Sequence, residues 1–430
     1  MQKIFFKTFG CRTNIYDTQV MISQLLNAKS AESSKSFEVS ESESEADIIV
    51  INSCTVTNNA DKSLKEYISR IAKQNKKIFF TGCALDSVGR TLFDKGAIFG
   101  AFGHSKKAQI HALLKSQNPF FMPNDLSAVD SVAVQNLVGR TRAFIKVQEG
   151  CDFKCSYCII PQVRGAARSL NRDLILEQIR ALAGQGVSEF VLSGTNLGSY
   201  GKDLPKDSRD SLPKLISDIS EIKGIKRIRL GSLEPSQIKG EFLEILEMPL
   251  LERHLHIAIQ HTDDAMLKLM NRVNRFEKDL RLFESLANKG FALGTDFIVA
   301  HPKESDEVFE GAFKKLESMP LTHIHCFIFS PRSGTKSALM PNDTPKKKAK
   351  ERLKRVQNLV QSKNFAFRVQ KARESRALEV LVESKKGDYF YGFDEFFNKM
   401  AIKADSSADL SRKWVKISDY QAKEINYAEI

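Results

Sequence analysis

The sequence predicts an α/β protein in three parts. An N-terminal parallel α/β domain spans residues 1–118, and a linker spans 119–139. A larger α/β domain over 140–372 carries six strand–helix units, enough for a partial (β/α)6 barrel, and a small all-β barrel closes the chain over 373–430. Three observations predict this. Short apolar runs alternate with helical patterns, the mark of parallel sheets covered by helices. The pattern changes after Ala377 to short strand-like runs separated by turn residues. The length of 430 residues exceeds what one hydrophobic core fills.

In the first domain Lys3–Thr8, Ala46–Asn52, Lys77–Thr81 and Ala97–Phe102 read as strands. Thr18–Leu26, Lys62–Lys73 and Lys106–Leu114 read as helices, and the Ser- and Glu-rich stretch from Ser30 to Glu45 reads as a loop. The second series has strands at Ala143–Gln148, Glu189–Leu192, Arg227–Leu230, His254–Ile259, Leu293–Val299 and Thr322–Phe329. Helices such as Arg172–Ala183 and Glu304–Met319 lie between them. Strand–helix–strand units of this kind turn right-handed, and their active sites gather at the C-terminal strand ends. In the last part LEVLVE, GDYFYGF, KMAIKA and RKWVKISDY supply the strands of a barrel.

No apolar run approaches the ~20 residues that span a membrane, and MQKIFFKTFG is too short and too mixed to act as a signal peptide. A cytoplasmic protein is expected. Seven cysteines in such a chain point to metal or redox chemistry rather than disulfides. The net charge of +13 points to an anionic partner. Between Pro345 and Arg373 eleven Lys or Arg face one acid, Glu351, whereas from Glu374 onward nine bases face eleven acids. The basic segment, and in it Lys346, Lys347, Lys348 and Lys350, is therefore the candidate for contact with a phosphate backbone. A solvated helix face is the competing reading, but exposed helices usually mix charge signs.

Cys151, Cys155 and Cys158 form a Cys-x3-Cys-x2-Cys set in GCDFKCSYCIIP. Three thiolates on one loop can hold three irons of a 4Fe–4S cube and leave the fourth open to a chelating molecule. A structural zinc site normally closes with four ligands. A second trio, Cys11, Cys54 and Cys83, is scattered in sequence, yet each member follows a strand candidate: IFFKTFGC, IIVINSC and IFFTGC. Strand ends of a parallel sheet share one edge, so topology brings the three together. Gly10 and Gly82 precede two of them, as close backbone packing requires. Cys326 lies within an apolar strand and reads as core, and His104 as structural. A zinc-bearing, non-enzymatic RNA-binding protein would need a fourth ligand at each trio from only eight histidines.

The loop, with Tyr157 directly before its last cysteine, resembles the signature of the radical S-adenosylmethionine (SAM) enzymes. TFGCRTNIYDT, INSCTVT, TGCA, GCDFKCSYCIIPQVRG, LSGTNLGSYG, SLEP and FSPRSGT fall in the order found in methylthiotransferases, and the resemblance covers essentially the whole chain. It implies a central radical SAM domain, a C-terminal TRAM domain and a 4Fe–4S cluster on each trio. The loop cluster would cleave SAM to a 5′-deoxyadenosyl radical, and the other would deliver sulfur. Tyr157, Arg164, Ser193, Gly194, Thr195, Asn196, Glu234 and Gln260 are the implied SAM-binding candidates, Arg164 for a carboxylate. Asn14 and Asp17 face the substrate or cap a helix. The implied partners are tRNA and a reducing electron donor such as a flavodoxin-type protein. Ser232–Pro235 and the GCRTN opening are most like the branch acting on threonylcarbamoyladenosine. The other branches act on isopentenyladenosine in tRNA or on an aspartate of a ribosomal protein. Two segments depart from the family pattern: IQHTDD brings His261 and Thr262, and Ala300-His301-Pro302-Lys303-Glu304 stands where Gly-Phe-Pro-Gly-Glu is usual.

Overall fold

The computed structural model describes residues 1–430 apart from 32–36, 57, 138–139, 206–207, 209, 375 and 406–407. It divides into two compact units, Met1–Lys154 with Cys158–Ile225, and Cys155–Tyr157 with Lys226–Ile430.

The first unit opens with β1 (Gln2–Thr8), α1 (Arg12–Ala31), β2 (Phe37–Val39), β3 (Ile48–Ser53), α2 (Asn58–Ile71), β4 (Lys77–Gly82), α3 (Arg90–Asp94), β5 (Gly100–Phe102), α4 (Ile110–Leu114) and β6 (Phe120–Met122). The six strands form one parallel sheet in the order β2-β1-β3-β4-β5-β6. Every residue of β3 is buried, which is why IIVIN reads as an unbroken apolar run rather than an alternating one. Its side chains still alternate between two cores. Ile48 and Val50 pack with Phe79, Met21 and Leu113, and Ile49 and Ile51 pack with Phe80, Leu64 and Ile68. Fully burying one such Phe or Ile contributes roughly 1.5–3 kcal/mol. β2 lies in the stretch expected as a loop and β6 in the expected linker, each a three-residue strand on an edge. The segment expected as one helix over Lys106–Leu114 begins as a 3-10 turn, His104–Gln109, ahead of α4.

The same unit continues with β7 (Ala143–Glu149), α5 (Ile160–Arg164), β8 (Arg168–Ser169), α6 (Arg172–Gly184), β9 (Glu189–Gly194) and α7 (Leu212–Ser220). β7 pairs parallel with β9 and antiparallel with β8. Asn171 caps α6 by accepting from the Leu174 amide at 3.0 Å.

The second unit carries β10 (Arg227–Leu230), α8 (Glu241–Ile245), β11 (His254–His256), α9 (Asp264–Leu269), α10 (Phe276–Asn288), β12 (Ala292–Val299), α11 (Asp306–Ser318) and β13 (His323–Ile328). β11, β12 and β13 run parallel, and single bridges tie the β10 region to the residues around β11. The basic helix α12 (Lys346–Arg373) leads into β14 (Leu378–Lys386), β15 (Tyr389–Phe393), β16 (Lys399–Lys403), β17 (Trp414–Ile417), β18 (Gln421–Ala422) and β19 (Asn426–Glu429). These form a curled, mainly antiparallel sheet in the order β17-β14-β15-β16-β19-β18. It does not stand apart. Its core takes in Ala292 and Phe367. The Arg227 guanidinium donates to the Glu379 and Phe393 carbonyls, and that of Arg229 to the Asp394 carbonyl at 2.8 Å.

The loop after β12 shows what the departures from the family pattern cost. Ala300 and Lys303 both adopt positive φ, 57° and 71°, at the positions where glycine is usual. A non-glycine residue there carries about 1–2 kcal/mol of strain. The loop is held by Glu304, whose carboxylate accepts from the Ala300 amide and from Arg352. Because Lys303 is exposed, only its backbone matters. Lys303→Gly is expected to raise unfolding free energy by about 0.5–1 kcal/mol, strain relief exceeding the added entropy of the unfolded chain, while Lys303→Val lowers it. Urea unfolding at fixed pH checks both signs.

Candidate metal and cofactor site

In the first unit, β1, β3 and β4 lie side by side, and Cys11, Cys54 and Cys83 follow their C-terminal ends. The approach is close enough to require glycine. A Cβ on Gly10 (φ 102°) would lie 2.6 Å from Cys54 Cβ and 2.9 Å from its Sγ. One on Gly82 (φ 104°) would lie 2.3 Å from the Ser53 carbonyl oxygen. Asn14 secures the turn by donating to the Phe9 and Ser53 carbonyls at 2.9 and 2.7 Å. Cys54 and Cys83 are buried and Cys11 is exposed. Burial pushes the Cys83 thiol up to about 12, against the pull of Arg164, and the Cys11 and Cys54 charges add to the rise. Burial raises Cys54 as well. Such thiols do not ionise unaided at neutral pH. A metal that displaces their protons suits them, and a free nucleophile does not.

Arg164, at the end of α5, belongs to this trio. Its side chain is buried, and its Nε donates to Cys83 Sγ at 3.2 Å. The rest of the guanidinium donates to Asn14 Oδ1 at 2.6 Å, Asp17 Oδ2 at 2.9 Å and Glu149 Oε1. The structure thus commits it to protein partners, where the sequence suggested a SAM carboxylate. Asp17 caps no helix. Its carboxylate meets Lys107 and Lys146, each at 2.9 Å, as well as Arg164. Burial pushes Asp17 up, but these cations outweigh it and hold the carboxyl well below the usual range. Asp130 pairs with the same two lysines. His104 meets the Val163 carbonyl at 3.3 Å, and burial with the Arg164 charge pushes it down to about 3. It is structural, as expected.

The second trio begins in this unit. A Cβ on Gly150 (φ 75°) would fall 1.8 Å from the Ala166 carbonyl oxygen, and the Cys151 amide donates to Gly165 O at 3.0 Å. Gln148 organises the loop: its Nε2 donates to the Glu149 and Gly150 carbonyls, and its Oε1 accepts from the Asn196 amide at 2.8 Å. Asn196 Nδ2 in turn lies 3.7 Å from Cys151 Sγ. Its Oδ1 is buried with no hydrogen-bond partner among the described residues. Ser193 Oγ donates to Ile145 O at 3.3 Å. Gly194 packs on Gln148, where a Cβ would come within 2.9 Å of Oε1. The turn Ser193–Asn196, with Thr195 half-buried, therefore stands beside Cys151.

In the second unit, Ser156 anchors the loop through its amide to Met270 O at 2.9 Å and its hydroxyl to Leu269 O at 3.0 Å. Tyr157 packs on Met266, Met270 and Ile298. Burial raises the Cys155 thiol, opposed by Arg272, whose NH1 lies 3.9 Å from its sulfur. Arg272 grips Glu234 with a two-point fork at 2.9 and 2.6 Å, so Glu234 meets protein rather than open space. Gln260 sits at φ 68°. Its amide donates to Asp296 O at 3.0 Å and its carbonyl accepts from Ile298 at 2.9 Å. Sequence reasoning missed Arg272, Gln148 and His301. His301 meets Ser337 Oγ at 2.9 Å, which donates to Ser156 Oγ at 2.8 Å. It therefore reaches the residue next to Cys155. Only its unusual place in the pattern marked it.

The basic helix is partly neutralised within the same unit. Lys348 pairs with Asp306 at 2.7 Å, Arg352 with Glu304 and Asp306, and Arg355 with Glu310. Lys346, Lys347 and Lys350 are exposed. Gly10 yields the sharpest test of the strand-end trio. Gly10→Ala is expected to leave folding cooperative but to lower the iron taken up in anaerobic reconstitution, since the thiols at the strand ends are disturbed. Full loading would show that the 2.9 Å approach to Cys54 Sγ does not matter for metal binding.

Residues 3–102 match the family model "Uncharacterized protein family UPF0004", and residues 145–316 match "Radical SAM superfamily". A protein of Helicobacter pylori named "Putative methylthiotransferase" is 50% identical over 99% of this chain and 98% of its own length. "Threonylcarbamoyladenosine tRNA methylthiotransferase MtaB" of Bacillus subtilis is 30% identical over 98% of this chain and 94% of its own. "tRNA-2-methylthio-N(6)-dimethylallyladenosine synthase" of Anaplasma phagocytophilum is 30% identical over 96% and 95%. In fold the chain is similar to the radical SAM methyltransferase TsrM of Kitasatospora setae, with a TM-score of 0.57 and 14% identity over 79% of this chain and 77% of that one. The chain belongs to the radical SAM methylthiotransferases, enzymes that work with an iron–sulfur cluster and SAM.

Proposed function

We propose that this methylthiotransferase acts on tRNA and places a methylthio group on C2 of N6-threonylcarbamoyladenosine at position 37. The observation that carries the reading is the pair of three-thiol sets, one on three adjacent strand ends and one on a single loop, each with its own supporting residues. Cys151, Cys155 and Cys158 would hold a 4Fe–4S cluster, which would supply the electron that opens SAM, and Cys11, Cys54 and Cys83 would hold a second, which would supply the sulfur. Around these, the protein positions and shields. Asn196 offers an unpaired acceptor beside Cys151, suited to the ammonium group of SAM. Tyr157, on its apolar bed of Met266, Met270 and Ile298, gives the adenine a wall. Arg272 and Glu234 neutralise each other and so leave no stray charge beside Cys155.

The exposed Lys346, Lys347 and Lys350 are the contacts proposed for tRNA phosphates, while Lys348 is held by Asp306. Half-buried Tyr389, its ring centroid 6.5 Å from that of Tyr391 and 6.1 Å from that of Tyr427, gives the C-terminal sheet, read as a TRAM domain, a face for base stacking. Dimethylallyladenosine is the second reading, since a relative of equal identity is named for it.

Expected outcomes separate the two trios. Cys155→Ala forms no 5′-deoxyadenosine, whereas Cys54→Ala still forms it but yields no methylthiolated nucleoside. Mass spectrometry of tRNA nucleosides after incubation with wild type is expected to show gain of 2-methylthio-N6-threonylcarbamoyladenosine. Gain of the dimethylallyl product would select the second reading, and methylthiolation by Cys54→Ala would refute the division between the trios.

A further inference from the structure

A second group of metal-ligating side chains lies in the second unit, apart from the cysteines. Four of the eight histidines, His254, His256, His323 and His325, sit on β11 and β13, which flank β12. The register sets His256 opposite Gly294 and His325 opposite Asp296. Alternation along β12 then aims Asp296 to the same face as both imidazoles. His256 Nε2 lies 3.0 Å and His325 Nδ1 3.4 Å from the same carboxylate oxygen, Asp296 Oδ1. All three ligand atoms fall within 4.8 Å of one another.

We propose that His256, Asp296 and His325 form a binding site for a divalent transition-metal ion such as zinc. The two spacings from Asp296 Oδ1 to the imidazoles suit it. Ligands about 2.0–2.2 Å from an ion, at octahedral to tetrahedral angles, stand roughly 3.0–3.5 Å apart. The donor set suits it too, since two imidazoles and one carboxylate hold borderline ions and leave coordination positions open. Charge is the stronger argument. The Asp296 side chain is only 19% exposed, and among the described residues its ion-pair partners are these two imidazoles alone. Neither Lys nor Arg pairs with it there. An imidazole neutralises a buried carboxylate only when protonated, whereas a divalent ion brings its charge to the neutral imidazoles.

Gly294 keeps the site open. A Cβ there would lie 2.7 Å from His256 Nδ1 and 3.0 Å from His254 Nε2. His256 is the fixed, buried ligand, 8% exposed, and His325 the outer one, 62% exposed, which gives the ion a way in. The open positions would take water or an oxygen anion of a ligand.

The test uses the holoenzyme with its iron–sulfur content restored. Zinc is added, excess is removed by desalting, and zinc and iron are counted in the same sample. Wild type is expected to keep one zinc per chain. His325→Ala, a change at an exposed side chain, and Asp296→Asn, which keeps the shape, are expected to lose at least tenfold of that zinc with iron unchanged. Zinc-edge X-ray absorption should show nitrogen and oxygen neighbours and no sulfur. Absence of retained zinc in wild type, equal retention in all three proteins, or sulfur around the zinc would each overturn the site.

Discussion

The buried guanidinium of Arg164 is the interaction on which the cysteine geometry of the first unit depends. It touches the end of β4 through Cys83, the start of α1 through Asn14 and Asp17, and the end of β7 through Glu149. The next carbonyl along, that of Gly165, receives the Cys151 amide. One residue therefore fixes where a strand-end thiol stands and where the radical SAM loop begins. Its charge is balanced within the core: Arg164, Lys107 and Lys146 face Asp17, Asp130 and Glu149. Removing one member of such a buried set typically costs about 3–5 kcal/mol, because its partners remain charged and out of water. The set thus gives position at the expense of tolerance.

The second unit repeats the principle with different residues. Arg272 and Glu234 close on each other beside Cys155. Arg352 of the basic helix reaches Glu304, which holds the strained Ala300–Lys303 turn, and His301 in that turn reaches Ser156 through Ser337. A chain of polar contacts thus runs from α12 to the residue beside Cys155. A segment whose composition suggests only nucleic-acid contact is also part of the scaffold for the radical SAM loop.

What could be read from the sequence was local or periodic. Both cysteine trios and the strands before them were legible, because strand–Cys repetition and the Cys-x3-Cys-x2-Cys spacing do not depend on distant residues. Arg164 stood out in sequence, yet its partner did not. Cys83 is 81 residues away and is brought near only by the sheet. Arg272 carried no local signal at all, since its meaning lies in Glu234, 38 residues upstream. The net charge of α12 was legible, but not its partial neutralisation, because Asp306 and Glu310 lie on α11. The strands β2 and β6 escaped because three residues on a sheet edge leave too little pattern to count.

Iron content of the strand-end trio tests the role of Arg164 most directly. In a background with Cys151, Cys155 and Cys158 changed to Ala, Cys11, Cys54 and Cys83 remain as the three-thiol set under test. With Arg164 intact, anaerobic reconstitution is expected to give about four irons per chain. With Arg164→Gln it is expected to give less than half of that, and faster loss to a chelator, while Arg164→Lys recovers part of the loading. Equal iron and equal chelator resistance in all three proteins would contradict the account, and would mean that the cysteines hold their positions without the guanidinium.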